Sequence, residues 1–209
     1  MPLACPTGRQ GISLACPRVR RYHHAVADRI LIYGVTGSGK STLAAEVAER
    51  TGLPWHPVDD LTWEPGWVAV PGDVQRERLA AICAGERWVL DSAYSSWIDV
   101  VMARAELIAA LDYPRWRSLS RLIRRTLRRN LDHRPICNGN TESLRQTFSR
   151  DSIIVWHFRS FARKRDQMRA WMADPPGPEV VRLTSPAAAR RWLASLAAAE
   201  LSGAASSDR

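Results

Sequence analysis

Residues 31–42, LIYGVTGSGKST, place glycines, a lysine and a hydroxyl side chain at the spacing GxxxxGKS. Gly34, Gly39, Lys40 and Ser41 occupy its fixed positions, directly after a strand-like apolar run. Glycines allow backbone N–H groups to curl around a phosphate, and the helix that follows points its positive end at that phosphate. The spacing therefore predicts a P-loop in which Lys40 reaches the outer phosphates of ATP and the Ser41 hydroxyl holds Mg²⁺. The predicted nucleotide-binding residues are Gly34, Val35, Thr36, Gly37, Ser38, Gly39, Lys40, Ser41 and Thr42.

Lysine is rare in this chain, which makes its presence in the loop informative. Of 30 basic residues only Lys40 and Lys164 are lysine, and the others are arginine. A compact ammonium group fits inside a ring of backbone N–H groups, whereas the planar guanidinium of arginine would crowd it. Lysine at position 40 therefore favours the P-loop interpretation over an ordinary glycine turn.

Acidic residues follow two of the apolar runs that read as strands. Ligands of open parallel sheets bind at the carboxyl ends of the strands, so these residues are candidates for the site. Asp91 follows Trp88–Leu90 and is predicted to be a Walker B carboxylate that orients Mg²⁺ or its water, with a helix cap as the alternative. Asp59 and Asp60 are predicted to bind an acceptor hydroxyl or water around Mg²⁺, with a solvated turn as the alternative.

An arginine cluster follows the fourth strand-like run. Arg121, Arg125 and Arg128 share one helix face at spacings of four and three residues. Arginines delivered by a lid can stabilise the charge that spreads over a transferred phosphoryl group, so Arg121 and Arg125 are predicted catalytic residues with Lys40 and Asp91. A solvated amphipathic helix and a face that tracks nucleic-acid phosphates are the alternatives. The whole cluster comprises Arg121, Arg124, Arg125, Arg128 and Arg129.

Aromatic side chains surround the predicted acceptor side. Trp63 and Trp67 lie in the run LTWEPGWVAVPG, and Tyr94 and Trp97 follow the strand that ends at Asp91. Such rings can stack on a flat or sugar-like substrate, and packing inside the protein is the alternative. The predicted substrate-binding residues are Asp59, Asp60, Trp63, Trp67 and Tyr94.

The elements that must position these residues alternate between strand and helix. This alternation predicts an α/β, three-layer P-loop NTPase fold with a five-stranded parallel sheet and an arginine-rich helical lid. Asp112, which precedes the arginine-rich helix, is interpreted as its structural cap. Strands are predicted at 29–33, 55–58, 87–91, within ELIAALDYP and at 179–183, and helices at 41–50, 73–84, 97–105, 114–131, 142–172 and from 186.

Composition limits the classes of protein that this chain can represent. Its 209 residues, 45% of them hydrophobic, suffice for one core, and no apolar run reaches the roughly 18 residues of a membrane span. A cytoplasmic, monomeric protein without membrane contact is therefore expected. The net charge of +9 and pI of about 10.2 indicate an acidic partner such as nucleotide, nucleic acid or anionic lipid. Neither zinc nor triad spacing is found for Cys5, Cys16, Cys83, Cys137, His56, His133 or His157.

The order of the motifs resembles the adenylate-kinase-like P-loop proteins of bacteria, in particular the topology-modulation group. The resemblance covers about residues 29–196 and rests on GVTGSGKSTLA, LPWHPVDDLTWEPGW, WVLDSAY, RAELIAALDYPRWRSLSRLIRR, GNTESL and RLTSPAAARRWL. It implies a nucleoside-monophosphate-kinase fold that uses ATP and Mg²⁺, with Arg121 and Arg125 as the paired arginines that begin the lid. Ser92 stands where the family usually has glycine, and the DGxPR motif of true adenylate kinases is missing. Both a nucleoside monophosphate and another small hydroxylated or phosphorylated acceptor therefore stay open.

These observations predict one P-loop, kinase-like domain over residues 28–201, with its lid at about 115–150. Residues 1–27 are expected to form a loose N-terminal extension, and 202–209 a disordered tail. The predicted function is transfer of the ATP γ-phosphoryl group to a small acceptor. The alternative is an ATP-dependent nucleic-acid-binding or topology-modulating protein, and a third hypothesis is a module that binds ATP without turnover.

Overall fold

The computed structural model describes residues 27–132, 136–141, 152–173 and 177–206, and for 197–206 it describes the backbone only. Strands and helices alternate along the chain as the sequence predicts. In chain order the elements are β1 (Arg29–Gly34), α1 (Lys40–Thr51), β2 (Trp55–His56), α2 (Val58–Thr62), β3 (Trp63–Glu64), β4 (Val68–Ala69), α3 (Gly72–Ala84), β5 (Trp88–Leu90), α4 (Ile98–Met102), β6 (Leu107–Leu111), α5 (Arg115–Asp132), α6 (Ile153–Ala173), β7 (Glu179–Leu183) and α7 (Pro186–Ser206).

The main sheet has five strands in the order β2-β5-β1-β6-β7, and all its pairs are parallel. Strands β5 and β6 are buried along their whole length, and β1 is buried after its first residue. Parallel strands that are covered on both faces read as continuous apolar runs rather than as alternating ones. The predicted five-stranded parallel sheet and α/β fold are confirmed.

Successive residues of β1 point to opposite faces of the sheet and so enter two different cores. Ile30 and Ile32 pack with residues of α1 and α7, whereas Leu31 and Tyr33 pack with residues of α2, α3, α4 and α6. The helix that follows the P-loop thus lies on one face, and the elements that carry the predicted acceptor residues lie on the other. Across the described ranges, no helix is both long and apolar enough to cross a bilayer.

Several predicted boundaries need correction. Strand β2 is only two residues long, because the chain turns at once into α2, so Asp59 and Asp60 lie in a helix rather than in a loop. The aromatic run contains a short antiparallel pair, β3 with β4, that the sequence analysis did not predict. Helix α7 runs through Ser206, and the predicted tail at 202–209 stays a prediction. Residues 1–26, 142–151 and 207–209 lie outside the described residues, and so do the predictions made for them.

Asp112 has a structural role, but it is different from the predicted helix cap. Its carboxylate is buried and accepts hydrogen bonds from Arg165 Nε at 2.8 Å and from Arg182 Nε at 2.7 Å. These arginines belong to α6 and β7, so the ion pairs tie both elements to the end of β6. Arg165 lies 53 positions after Asp112 in the chain, and Arg182 lies 70 positions after it. No local sequence pattern predicts ion pairs over such separations.

Candidate active site

The P-loop leaves the carboxyl end of β1 and enters α1. Gly37 and Gly39 have φ values of 80° and 98°, in the left-handed region that favours glycine. Gly37 also has no room for a side chain, because a Cβ would lie 2.4 Å from the backbone oxygen of Ser118. A Cβ at Gly39 would lie 2.9 Å from Arg121 Nη2, the end of a flexible side chain. The backbone conformation therefore selects glycine at both positions, and the contact with α5 selects it again at Gly37.

Lys40 is the first residue of α1 and is half-buried. Its Nζ donates a hydrogen bond to the backbone oxygen of Val35 at 3.2 Å, which folds the side chain back over the loop. Burial lowers the pKa of Lys40, while the carboxylates of Asp59 and Asp91 act in the opposite direction. The ammonium group thus lies inside the loop, with two acidic side chains nearby.

Ser41 and Asp91 bring oxygen atoms together from α1 and from the end of β5. Asp91 is buried, its Oδ1 accepts a hydrogen bond from the Val58 backbone N–H at 2.8 Å, and its carboxylate also hydrogen-bonds Ser41. Burial raises the pKa of Asp91, and the hydrogen bonds with Ser41 and Val58 oppose that shift. The alternative role of Asp91 as a helix cap is not seen, because α4 begins at Ile98.

The residues present fit Mg-ATP. The glycines form a cradle without side chains, and the Oγ of Ser38 within it is buried and has no hydrogen-bond partner in the described part of the chain. A hydroxyl and a carboxylate are the oxygen ligands that Mg²⁺ takes in proteins, and Ser41 and Asp91 supply one of each. Lys40 adds a compact positive charge beside them.

Helix α5 packs directly on the P-loop. Arg121 Nη1 lies 3.4 Å from the backbone oxygen of Ser38, and the guanidinium covers Gly39. Arg125 is close enough to Lys40 to lower the pKa of that lysine, although burial is the largest cause of the shift. Both predicted catalytic arginines therefore lie at the phosphate loop, and Arg129 lines the same cavity. The remaining part of the predicted lid, residues 142–150, lies outside the described residues.

One cavity of about 390 Å³ joins these elements. It lies between the P-loop, α5 and the residues that follow β2 and β5. Its walls therefore combine the predicted nucleotide, metal and acceptor residues. The lining residues are Thr36, Gly37, Gly39, Lys40, Ser41, Thr42, Asp59, Asp91, Ser92, Tyr94, Arg121, Arg125, Arg129, Ile153, Trp156 and Lys164.

Only part of the predicted acceptor set lines this cavity. Asp59 and Tyr94 do, and the Tyr94 hydroxyl donates a hydrogen bond to Asp59 Oδ1 at 3.0 Å. Burial and then the nearby Asp59 carboxylate raise the pKa of Tyr94. Asp60, Trp63 and Trp67 are not among the lining residues, and the rings of Trp63 and Trp67 instead pack edge to face with centroids 5.8 Å apart.

A turn at residues 136–141 closes onto the loop that carries these tryptophans. Asn140 Oδ1 accepts a hydrogen bond from the Trp67 backbone N–H at 2.8 Å, and Asn140 Nδ2 donates to the Glu64 backbone oxygen at 3.0 Å. Asn138 Nδ2 donates to the backbone oxygens of Asp60 and Trp63 at 2.8 and 2.7 Å. We call these contacts the asparagine clasp. The Trp67 ring faces the same turn, because its Nε1 donates a hydrogen bond to the Thr141 backbone oxygen at 3.0 Å.

Two residues of α6 reach the P-loop, and the sequence analysis assigned them no role. His157 is fully buried, and its Nδ1 lies 3.0 Å from the Thr36 backbone oxygen. Lys164 is 6% exposed, with its Nζ 3.5 Å from the Gly34 backbone oxygen. Lys40 and Lys164 line the same cavity. The rarity of lysine in this chain is the one sequence signal that could have pointed to Lys164.

Comparison with known proteins finds similarity of fold only. No protein-family model and no curated protein sequence matches this chain. Among solved structures, a gluconokinase from Sinorhizobium meliloti 1021 is 20% identical over 84% of this chain and 90% of its own, with a TM-score of 0.43. Shikimate kinases from Bacteroides thetaiotaomicron (14% identical, 82% and 97% covered, TM-score 0.48) and Acinetobacter baumannii, in complex with shikimate (16%, 83% and 93%, TM-score 0.47), are also similar. With identities and TM-scores this low, these similarities carry no argument about the substrate.

Proposed function

We propose that this protein is a small-molecule kinase that transfers the γ-phosphoryl group of Mg-ATP to an acceptor hydroxyl. One observation carries the proposal. A single cavity contains the P-loop lysine, an oxygen pair suited to Mg²⁺, three arginines of α5 and the carboxylate of Asp59. Phosphoryl transfer needs little from a protein beyond such positioning and charge stabilisation.

Each charged side chain has a distinct role in this proposal. Lys40 and the loop N–H groups bind the β and γ phosphates, and Arg121 and Arg125 stabilise the negative charge of the transition state. Asp59, held by Tyr94, orients the acceptor hydroxyl and takes its proton. The acceptor oxygen bonds to the γ-phosphorus while the bond from that phosphorus to the β–γ bridging oxygen breaks, and ADP leaves with the electron pair. Mg²⁺, which Ser41 and Asp91 would hold, supplies charge neutralisation when it is bound.

The test is ATP consumption by the purified protein with Mg²⁺ and separate pools of nucleoside monophosphates, nucleosides, sugars and hydroxy acids. Stimulation by one pool, lost in Lys40→Ala, is the expected result. ATP binding without stimulation by any pool would contradict a kinase and favour a module that binds ATP without turnover.

A nucleic-acid-binding function is a second candidate, and the outer face of α5 favours it. Arg124 and Arg128 are exposed and lie outside the ATP cavity, where they border a second depression of about 290 Å³ lined almost wholly by arginine. Salt-sensitive binding of RNA or DNA that weakens in Arg124→Ala/Arg128→Ala, with ATP affinity unchanged, would support this function. Membership of the bacterial topology-modulation group remains a prediction.

A further inference from the structure

Lys164 is a buried cation beside the phosphate loop. Its Nζ has the Gly34 backbone oxygen at 3.5 Å and lies 4.9 Å from the centroid of the Tyr33 ring. Within the described residues, no carboxylate lies within ion-pair distance of this ammonium. A buried charge is costly unless a partner of opposite charge or several hydrogen bonds compensate it. One long hydrogen bond and one ring face compensate it poorly.

The position of Lys164 is on the acceptor side of the P-loop. Tyr33 belongs to the core that contains Val58 of α2, whereas α1, which begins at Lys40, packs on the opposite face of the sheet. Asp59 and Lys164 line the same cavity as the P-loop residues within 36–42 that border it. Burial is the largest cause that lowers the pKa of Lys164, to about 7, and Asp59 acts in the opposite direction. The ammonium therefore faces the space between the phosphate loop and Asp59.

The part of the cavity wall that the structure describes carries mostly positive charge. Five cationic and two acidic side chains line it there. A lining of this sign attracts anionic ligands. Among these described cations Lys164 is the buried one, so an anionic group of the acceptor would give its ammonium a partner of opposite charge.

We propose that the acceptor is an anion and that Lys164 binds its carboxylate or phosphate group, an assignment that rests on the kinase function proposed above. Lys40 and Lys164 then divide the work: the first binds the phosphates of ATP and the second the anionic group of the acceptor. Asp59 repels that group and so directs the hydroxyl end of the acceptor toward itself. Lys164 is in this view a residue that determines specificity.

The binding test does not depend on turnover. Sulfate, acetate and neutral acetamide are titrated at constant ionic strength, in the presence of Mg²⁺ and a non-hydrolysable ATP analogue. We expect sulfate or acetate, but not acetamide, to bind the wild-type protein, and Lys164→Met to weaken that binding at least about tenfold. Preference for sulfate would indicate a phosphate group, and preference for acetate a carboxylate. Arg159→Met removes an exposed charge from the same helix and is the matched control.

Three results would overturn the assignment: equal binding of acetate, sulfate and acetamide, no binding of either anion, or equal loss in Lys164→Met and Arg159→Met. Lys164→Gln, which keeps hydrogen-bond donors but no charge, serves if Lys164→Met does not fold.

Turnover assays compare sugar phosphates with sugars, and hydroxy acids with their amides. In these assays Lys164→Met should raise the acceptor KM, while the Kd of the ATP analogue stays unchanged. Turnover with neutral acceptors alone would leave the kinase function standing and contradict the anionic acceptor. No turnover with any acceptor, together with anion binding at Lys164, would contradict the kinase function alone.

Discussion

The phosphate side and the acceptor side of the cavity are built in different ways. Residues 34–42 supply the phosphate side as one loop, and backbone conformation within that loop sets its shape. The acceptor side combines α2, the end of β5, the 136–141 turn and α6, which meet through contacts such as that between Asn140 and Trp67, 73 residues apart. In the proposed kinase, a motif thus encodes the part that would bind ATP, whereas tertiary packing assembles the part that would select the acceptor.

The largest expected effect is on the phosphate side. Lys40→Ala removes the charge that binds the outer phosphates, so we expect catalytic efficiency to fall by about 10²–10³-fold. Steady-state ATP turnover and calorimetric affinity for an ATP analogue measure this loss. Arg50→Ala, which removes an exposed cation from the end of the same helix, should leave both unchanged. If Lys40→Ala kept full affinity for the ATP analogue and full turnover, Lys40 would not bind the phosphates and residues 34–42 would not be the phosphate side.

A second change tests the junction between the two sides, where α5 meets the loop. Gly37→Ala places a Cβ against Ser118 and forces alanine to adopt a positive φ, so the free energy of unfolding should fall by about 3 kcal/mol. Gly52→Ala has a similar positive φ but open space around it, and should cost only about 1 kcal/mol. Urea denaturation measures both, and equal losses would show that contact with α5 does not matter.

The pH dependence of stability tests whether burial lowers the pKa of Lys164. Burial, and then Lys40 and Arg163, lower its pKa from 10.5 to about 7, while Asp59 acts in the opposite direction. Between those two values the unfolded chain binds one more proton than the native protein, so stability should rise with pH. Lys164→Met should lack this rise, with a difference on the order of 4 kcal/mol across the window. Parallel stability curves would contradict the burial of a titrating ammonium.

The asparagine clasp should affect the acceptor side alone. Asn140→Ala removes the acceptor for the Trp67 N–H and the donor to Glu64, so we expect a loss of about 1–2 kcal/mol of stability and a higher acceptor KM. Affinity for the ATP analogue should not change. Hydrogen exchange at the Trp67 amide reports the bond directly. Thr141→Ala is the control, because its contact with Trp67 uses the backbone oxygen and survives the substitution.

The smallest expected effect is that of Tyr94→Phe, which frees Asp59 from one hydrogen bond. A loss of about 1 kcal/mol in acceptor kcat/KM is expected. If Tyr94 acts only by positioning the carboxylate, Asp59→Asn should cost as much alone as together with Tyr94→Phe. Additive losses in this double-mutant cycle would assign Tyr94 an independent contact with the acceptor.

Local sequence patterns were enough to predict the sheet, the P-loop geometry and the position of Asp91 beside Ser41. These features depend on short-range rules: continuous apolar runs form buried parallel strands, and a P-loop needs glycine, lysine and a hydroxyl at fixed spacing. An apolar strand followed by an acid is the Walker B pattern, and a P-loop hydroxyl and a Walker B carboxylate hold the same Mg²⁺. For this reason Ser41 and Asp91 could be paired in advance, although they lie 50 residues apart. The adjacency of β1 and β5 in the sheet is a property of the fold.

The contacts of Lys164, Asp112 and the tryptophan loop follow instead from how distant segments pack together. Lys164 lies in a helix where its spacing resembles that of any solvated cation, and its burial follows from how α6 packs across β1. Asp112 pairs with arginines from two later elements, and Trp67 turns toward Asn140 because backbone groups of its loop need hydrogen-bond partners. Such contacts arise from the packing of distant segments, which no local pattern specifies.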